Sequence, residues 1–237
     1  MLSNAICAER AALGQLLLRP NVERVTAVFI VTDAPTAITP GTLCREFLCS
    51  HVNLDVPIIM GPITQPMRTT LGLLYPYPCV YARRTRQECL TLGQDLVLCS
   101  LPSLAPDEEA LYRAVWGQTA QDARDHVHPL RYGAGVLFQD GTQALSWQHK
   151  TVEYGASMDA VCKLIPFIEQ HQAAPKLLLQ VDHFGRLHAP FAAARAYFAE
   201  YFGAISIQTI IHDEAGETLT RLALAELVPN PPEIECS

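Results

Sequence analysis

The chain has 237 residues, of which 49% are hydrophobic and 17% charged, and its formal net charge is −7. This length corresponds to one or two domains, and the apolar content excludes a disordered chain. No apolar run reaches the roughly 18 residues that a membrane-spanning helix needs, and the longest, around Val25–Val31, suits a buried strand. The acidic charge balance argues against a nucleic-acid partner, and no membrane partner is expected.

The cysteines are expected to be reduced thiols of a cytoplasmic protein. Glu9 and Arg10 lie within the first ten residues, with no basic segment ahead of an apolar stretch, so no secretory signal is predicted. Five of the eight cysteines lack a closely spaced partner and are interpreted as small buried hydrophobic residues or free thiols. These are Cys79, Cys89, Cys99, Cys162 and Cys236.

Hydrophobic periodicity predicts alternating helices and strands in the first half of the chain. In chain order the elements are a helix over Ala5–Leu18, a strand over Val25–Thr32, a helix that begins after Pro40, a strand over Val56–Met60 and a closing segment over Thr70–Tyr75.

The second half contains the same plan, preceded by additional elements. A helix over Pro106–Arg124 and a hairpin come first. The two predicted hairpin strands are 135–139 and 143–148, and the dipeptide Asp140-Gly141 between them is typical of a tight turn. The elements that follow are a helix over Ser157–Gln170, a strand over Lys176–Val181, a helix that begins near Pro190, a strand over Ile205–His212, a turn over Asp213–Gly216 and a closing segment over Leu219–Val228.

An internal repeat relates the two halves. Pro40 and Pro190 are 150 residues apart, and Cys7 and Met158 are 151 residues apart. Each half is therefore expected to be a mixed α/β layer with helices packed against a sheet. The first half begins almost at its first repeated helix, without the preceding helix and hairpin. Either this half is a truncated fragment, which is the favoured interpretation, or its sheet is completed by something else.

Two cysteines and a glutamate near helix starts are candidates for a metal site. Cys7 and Glu9 open the first helix, for which Ser3 or Asn4 is the predicted N-cap. Cys44 lies in the helix predicted to have Thr39 as its N-cap and Pro40 as its first residue. Thiols near helix N-termini are biased towards thiolates, which are ligands that zinc favours.

Four segments resemble the cytidine deaminase family. Its signature is a His or Cys, one residue and a Glu, followed later by Pro-Cys-x-x-Cys. The segment Cys7–Leu13 (CAERAAL) matches the first part and Pro40–Leu48 the second, while Pro129–Gly135 and Ala225–Pro229 are similar to later parts of the family's sequence.

The resemblance implies a three-layer α/β/α cytidine deaminase-like fold with a mixed sheet, repeated twice. The implied domains are residues 1–80, a linker over 81–105 and a degenerate copy over 106–237. Zinc would be held by Cys7 and Cys44, with Glu9 as general acid and base. The implied activity is zinc-dependent hydrolytic deamination of cytidine or deoxycytidine in pyrimidine salvage, by a cytoplasmic homodimer. No substrate-binding residue is predicted.

One departure from the signature leaves an alternative open. Gly41 stands where the family has a zinc-binding Cys, whereas catalytic zinc sites normally have three protein ligands. Cys49 is about 140° around a helix from Cys44 and is expected to face elsewhere, and His51 is farther still. The alternative function is therefore a catalytically impaired deaminase-like pseudoenzyme or scaffold subunit.

The second half is predicted to be non-catalytic. Met158-Asp159-Ala160 replaces the Cys-x-Glu triplet, and 190–194 reads PFAAA. Asp159 is interpreted as an acidic residue at a helix N-terminus, and His183 and His188 as loop residues that could alternatively line a substrate pocket. A basic cluster, Arg83, Arg84 and Arg86, is interpreted as a solvated surface.

Overall fold

The computed structural model describes residues 6–22, 24–95, 104–153, 156–203 and 205–230. The chain divides into two compact units, which we call unit 1 (Met1–Pro78 with Leu227–Ser237) and unit 2 (Cys79–Glu226). Each contains a mixed sheet with helices, which confirms the predicted α/β class. Among the described helices, none has the length and apolar character required to span a bilayer.

Unit 1 has a three-stranded sheet in the order β1-β2-β3. Its elements are α1 (Ala8–Leu17), β1 (Val28–Val31), α2 (Thr42–Cys49), β2 (Pro57–Gly61), β3 (Met67–Thr70) and α3 (Leu71–Leu74). β1 pairs in parallel with β2, and β2 pairs antiparallel with β3. The closing segment of the first half, Thr70–Tyr75, is therefore the end of a strand followed by a short helix.

Both long helices of unit 1 begin later than the sequence predicts. The N-cap of α1 is Cys7, and the predicted caps Ser3 and Asn4 lie outside the described residues. The N-cap of α2 is Gly41, so the prediction of Thr39 as cap was wrong. The Thr39 hydroxyl instead donates a hydrogen bond to the carbonyl of Asn230 at 2.8 Å, a partner 191 residues away.

Hydrogen bonds from Arg45 connect α2 to other segments of unit 1. Its side chain is fully buried, its Nε donates to the carbonyl of Pro40 at 2.7 Å, and its Nη1 donates to the carbonyls of Leu74 (2.6 Å) and Pro229 (2.7 Å). Its Nη2 donates to the carbonyl of Asn230 at 2.6 Å. Burial lowers the pKa of Arg45 to about 10, so it remains a cation whose forked N–H groups satisfy buried main-chain acceptors.

Unit 2 has a larger mixed sheet in the order β5-β4-β6-β8-β9, with β7 paired to β6. β6 and β8 are parallel, and the other pairs are antiparallel. The elements are α4 (Arg86–Gln94), α5 (Pro106–Gln118), β4 (Tyr132–Phe138), β5 (Gln143–Trp147), α6 (Ile165–Gln170), β6 (Pro175–Asp182), β7 (Leu187–His188), α7 (Ala192–Tyr201), β8 (Gln208–His212) and β9 (Leu219–Ala223). The segment 81–105 thus carries α4.

Glycines on β4 allow α5 to lie very close to the sheet. A Cβ atom at Gly133 would lie 2.3 Å from the carbonyl oxygen of Val115, and one at Gly135 would lie 2.5 Å from the Val115 side chain. The chain reverses direction between β4 and β5 at Gly141, whose φ of +84° favours glycine. The predicted hairpin between β4 and β5 is therefore present, with α5 packed on one of its faces.

The opposite face of this hairpin is covered by the segment after β5, which gives unit 2 three layers. Leu145 pairs with Gly135 on the α5 side, whereas Ser146 points to the other side and donates to the carbonyl of Ala160. The prediction of a continuous helix over Ser157–Gln170 was wrong in its first half. A 3-10 turn at Cys162–Leu164 precedes α6. The Cys162 N–H donates a 2.8 Å hydrogen bond to the Asp159 carboxylate, which replaces the main-chain acceptor of a continuous helix.

The two units share local geometry at the repeated positions. Arg195 Nε donates to the carbonyl of Pro190 at 2.6 Å, as Arg45 does to Pro40. The parallel pairs also correspond, since Val28 lies opposite Ile58 in unit 1 and Leu178 opposite Thr209 in unit 2.

One sheet face differs between the units. Leu179 and Val181 are fully buried in the core that contains Leu111 and Val115 of α5. Their counterparts 150 residues earlier, Phe29 and Val31, are 68% and 66% exposed. Among the described residues of unit 1 no helix takes the place of α5, so this apolar face of β1 lies open.

Candidate metal centre

The N-termini of α1 and α2 bring three metal-binding side chains together. Cys7 is the N-cap of α1 and Glu9 lies in its first turn, while Cys44 lies in the first turn of α2. Their ligand atoms all lie within 4.8 Å of one another. Cys7 is exposed, Glu9 half-buried and Cys44 buried, so the cluster opens to solvent on one side.

The charge state of the cluster depends on burial as well as on the helix ends. Burial, followed by a hydrogen bond with Cys7, raises the pKa of the Cys44 thiol to about 12. The sequence predicts a thiolate at this helix N-terminus, but for Cys44 desolvation outweighs the helix dipole. Arg10 supplies a nearby positive charge, with its Nη2 3.9 Å from the Cys7 sulfur. Cys44 therefore loses its proton when it coordinates a cation.

The donor set fits a zinc ion. Two sulfurs that bind zinc at about 2.3 Å in tetrahedral geometry are roughly 3.8 Å apart, and the separation of the three ligand atoms here is compatible with that value. Two thiols and a carboxylate are also a donor combination that zinc accepts. With all three side chains as ligands, one position of a tetrahedral site stays open for a small molecule.

Gly41 leaves free space beside the cluster. A Cβ atom at this position would meet no heavy atom within 4 Å. No neighbouring side chain fills the space at this position.

The other side chains weighed as ligands do not join the cluster. Cys49 is buried in the core of unit 1, and His51 is exposed on the turn after α2. Among the described residues, the only group of three or more metal-binding side chains within reach of one ion is Cys7, Glu9 and Cys44.

His188, interpreted from the sequence as a loop residue, is a buried strand residue. Its Nε2 lies 2.8 Å from Asp182 Oδ2, which also accepts a 2.7 Å hydrogen bond from the Tyr81 hydroxyl. His183 Nδ1 accepts a hydrogen bond from the Arg131 N–H, and burial lowers the pKa of His183. Both imidazoles therefore have structural partners within unit 2. Asp159, whose carboxylate accepts the Cys162 N–H, matches its interpretation as an acidic residue at the start of a helical turn.

An apolar cavity adjoins the carboxylate. It has a volume of about 360 Å³ and lies between α1, β1 and α2, and Glu9 is the only ionisable residue among those described in its lining. Its apolar walls include Leu13, Leu16, Val28, Ile30 and Leu48. No local sequence pattern marks this cavity, because its walls are ordinary apolar positions of two helices and a strand. The arrangement places one carboxyl-bearing side chain beside an apolar space of this size.

The chain is similar in structure to several solved cytidine deaminases. It matches the enzyme from Mycobacterium tuberculosis with 19% identity, a TM-score of 0.45 and coverage of 55% of this chain and 100% of that chain. For the enzyme from Burkholderia pseudomallei the identity is 15%, the TM-score 0.43 and the coverage 52% and 97%. No family model matches, and no curated protein matches.

Proposed function

We propose that this chain is a zinc-dependent hydrolase that deaminates cytidine or deoxycytidine to uridine or deoxyuridine. The observation that carries the proposal is the convergence of Cys7, Glu9 and Cys44 on one point at two helix N-termini. The resemblance of the segments around Cys7 and Pro40 to the cytidine deaminase signature supports the same reaction.

The residues present divide into ligands and a proton carrier. When bound, zinc supplies Lewis-acid activation that lowers the pKa of a water molecule. Cys7 and Cys44 would hold the ion. Glu9 would take one proton from the attacking water and deliver it to ring N3, and would then move the remaining hydroxyl proton to the departing amino group. The overall balance is one water consumed and one ammonia released, so no redox partner is required.

The cavity beside Glu9 provides a place for the pyrimidine ring. Its apolar walls provide contact surface for the ring, and the half-buried Glu9 at its edge exchanges protons with ring atoms. A ring held there gains most of its binding free energy from apolar contact, while Glu9 selects groups that give or take a proton.

A second candidate function follows from Gly41. If Glu9 completes the ligand set in place of the missing thiolate, its carboxylate is no longer free to move protons. The chain would then bind zinc without turnover, as a deaminase-like pseudoenzyme or scaffold subunit. The donor geometry is compatible with both assignments of Glu9, and the two differ in a measurable way.

Metal content and cytidine turnover measured on the same sample distinguish these functions. For the enzyme we expect about one zinc per chain together with release of ammonia, and Glu9→Gln should abolish turnover while zinc is retained. Loss of zinc in Glu9→Gln would instead assign Glu9 as a ligand and support the pseudoenzyme. Cys44→Ser should lose zinc, whereas the matched control Cys162→Ser, in unit 2, should keep it. A folded preparation with neither zinc nor turnover overturns the enzyme and leaves the pseudoenzyme or scaffold subunit.

We further propose that the protein acts as a cytoplasmic homodimer in pyrimidine salvage. Sedimentation equilibrium of the zinc-loaded chain tests the dimer, and a monomer at all concentrations would contradict it.

A further inference from the structure

Unit 2 contains a second cavity, separate from the cluster at Cys7, Glu9 and Cys44. Its volume is about 520 Å³, within the range of small-molecule sites. Its walls come from the segment before α4, the start of α4, the loop that leads into β4, the end of β5 and the residue before α7. All of these segments belong to unit 2.

The cavity is cationic although the chain as a whole is acidic. The described lining includes three cations, Arg84, Arg86 and Lys150, and no carboxylate. Lys150 is buried and its ammonium is 3.2 Å from the buried Asp122 carboxylate, so its charge is largely balanced. Arg84 and Arg86 are therefore the cations left to attract a ligand. This assigns a binding role to part of the cluster that the sequence suggests is only a solvated surface.

Each of these two guanidinium groups is positioned by the main chain and keeps donors for a ligand. Arg84 Nε donates to the carbonyl of Val80 at 3.0 Å, and Arg86 Nη2 donates to the carbonyl of Asp125 at 2.6 Å. Within the described part of the chain, their other N–H groups have no protein acceptor. Guanidinium groups match the oxygens of a phosphate particularly well.

The aromatic part of the cavity wall suits a flat ring. Phe191 packs edge-on against Tyr132 with ring centroids 5.2 Å apart, and both line the cavity. Gln148 also lines it, and its carboxamide Oε1 is buried and has no hydrogen-bond partner among the described residues. A buried acceptor of this kind costs free energy unless a donor reaches it, and a ring N–H or amino group would supply one.

We propose that this cavity binds a nucleoside 5′-monophosphate. The phosphate contacts Arg84 and Arg86, the base lies against Phe191, and an N–H group of the base donates to Gln148. An inorganic phosphate would leave the aromatic wall and the Gln148 acceptor unused, and an uncharged nucleoside would leave the two guanidinium groups unused. The site uses none of Cys7, Glu9 or Cys44, so this proposal is tested independently of the proposed deaminase activity.

Calorimetric titration of the full chain with adenosine 5′-monophosphate tests the proposal. A purine is chosen because it is not the substrate proposed for the Glu9 site. We expect a Kd of about 1 mM or tighter, weakened at least about tenfold in the double variant Arg84→Ala/Arg86→Ala and weakened by added salt. The matched control Arg83→Ala removes a neighbouring charge that does not line the cavity, and it should leave the affinity unchanged.

A second variant tests the base contact without threatening the fold. Gln148→Leu removes the unpartnered acceptor, so the thermal stability of the free chain should be kept or raised while the affinity for the monophosphate falls several-fold and that for inorganic phosphate does not change. Three results would overturn the proposal: no monophosphate binding at about 5 mM, equal binding of inorganic phosphate or adenosine, or binding that is unchanged in the double arginine variant.

Discussion

Replacing Gly41 by cysteine is the most direct perturbation of the candidate metal centre. Gly41 precedes Cys44 by three residues, so the two positions lie on the same side of the start of α2. Its φ of −61° and ψ of 158° are accessible to any residue, and a Cβ atom there meets nothing within 4 Å. The new thiol can therefore enter without strain or collision, and we expect the free energy of unfolding without metal to change by less than about 1 kcal/mol.

The expected gain in zinc affinity follows from the number of ligands. Four-ligand zinc sites bind with roughly 10–16 kcal/mol, or about 3 kcal/mol for each ligand. A third thiolate should therefore raise the affinity by about 100-fold, since each 1.4 kcal/mol is a factor of about ten. If Glu9 is held on the metal in the natural chain, the new ligand also releases its carboxylate, and cytidine turnover should rise.

Competition with a chromophoric chelator measures the zinc affinity of each variant. Gly41→Ser is the matched control, because it has the same size and backbone effect without a thiol. Gly117→Cys, at a second position where a Cβ meets nothing within 4 Å, controls for adventitious binding by an added thiol. Equal affinities of Gly41→Cys and Gly41→Ser would refute the assignment of this helix start as a zinc site.

Three further predictions concern the fold and are read from urea denaturation. Arg45→Met should lower the free energy of unfolding by about 3–5 kcal/mol, because it leaves several main-chain carbonyls without their hydrogen-bond donor. Arg113→Met, which removes an exposed ion pair, should lower it by about 0.5 kcal/mol or less. A similarly small loss for Arg45→Met would contradict the central role of Arg45. Burial lowers the pKa of His212 to about 4, against about 6.5 in the unfolded chain. Between these two pKa values the unfolded chain binds more protons than the folded chain, so the free energy of unfolding should fall by up to about 3 kcal/mol as the pH drops from about 6.5 to about 4. If the pH dependence of stability is the same in His212→Gln, it does not come from His212. Leu179→Ala should lower the free energy of unfolding by about 2–5 kcal/mol. At the repeat counterpart, Phe29→Ala should lower it by less than about 1 kcal/mol, since the Phe29 side chain is 68% exposed. Equal losses would mean that Phe29 is covered in solution.

Features set by a few neighbouring residues could be predicted from the sequence. The hairpin turn at Gly141 follows from the dipeptide Asp140-Gly141, and Thr142 completes it with hydrogen bonds to the Asp140 carboxylate. The alternation of strands and helices was also predictable, because hydrophobic periodicity reports which face of each element is buried.

Predictions that depended on distant partners were wrong. Thr39 has the residue type of an N-cap, but its hydroxyl is used by Asn230, 191 residues away. Cys44 has the position of a thiolate at a helix N-terminus, but packing buries it and raises its pKa to about 12. His188 looks like a loop histidine and is instead held beside Asp182 within a sheet.

The amino-acid sequence by itself determined the period of each element, the repeat that relates its halves and the identity of Cys7, Glu9 and Cys44 as metal-binding candidates, since these depend on residue types and spacing. Only the tertiary structure decided that the three ligand atoms converge within 4.8 Å, that an apolar cavity adjoins Glu9, and that Arg84 and Arg86 share a cavity with Gln148 and Phe191. The reason is physical: distance, burial and desolvation arise from contacts between segments far apart in the chain, and no local pattern encodes them.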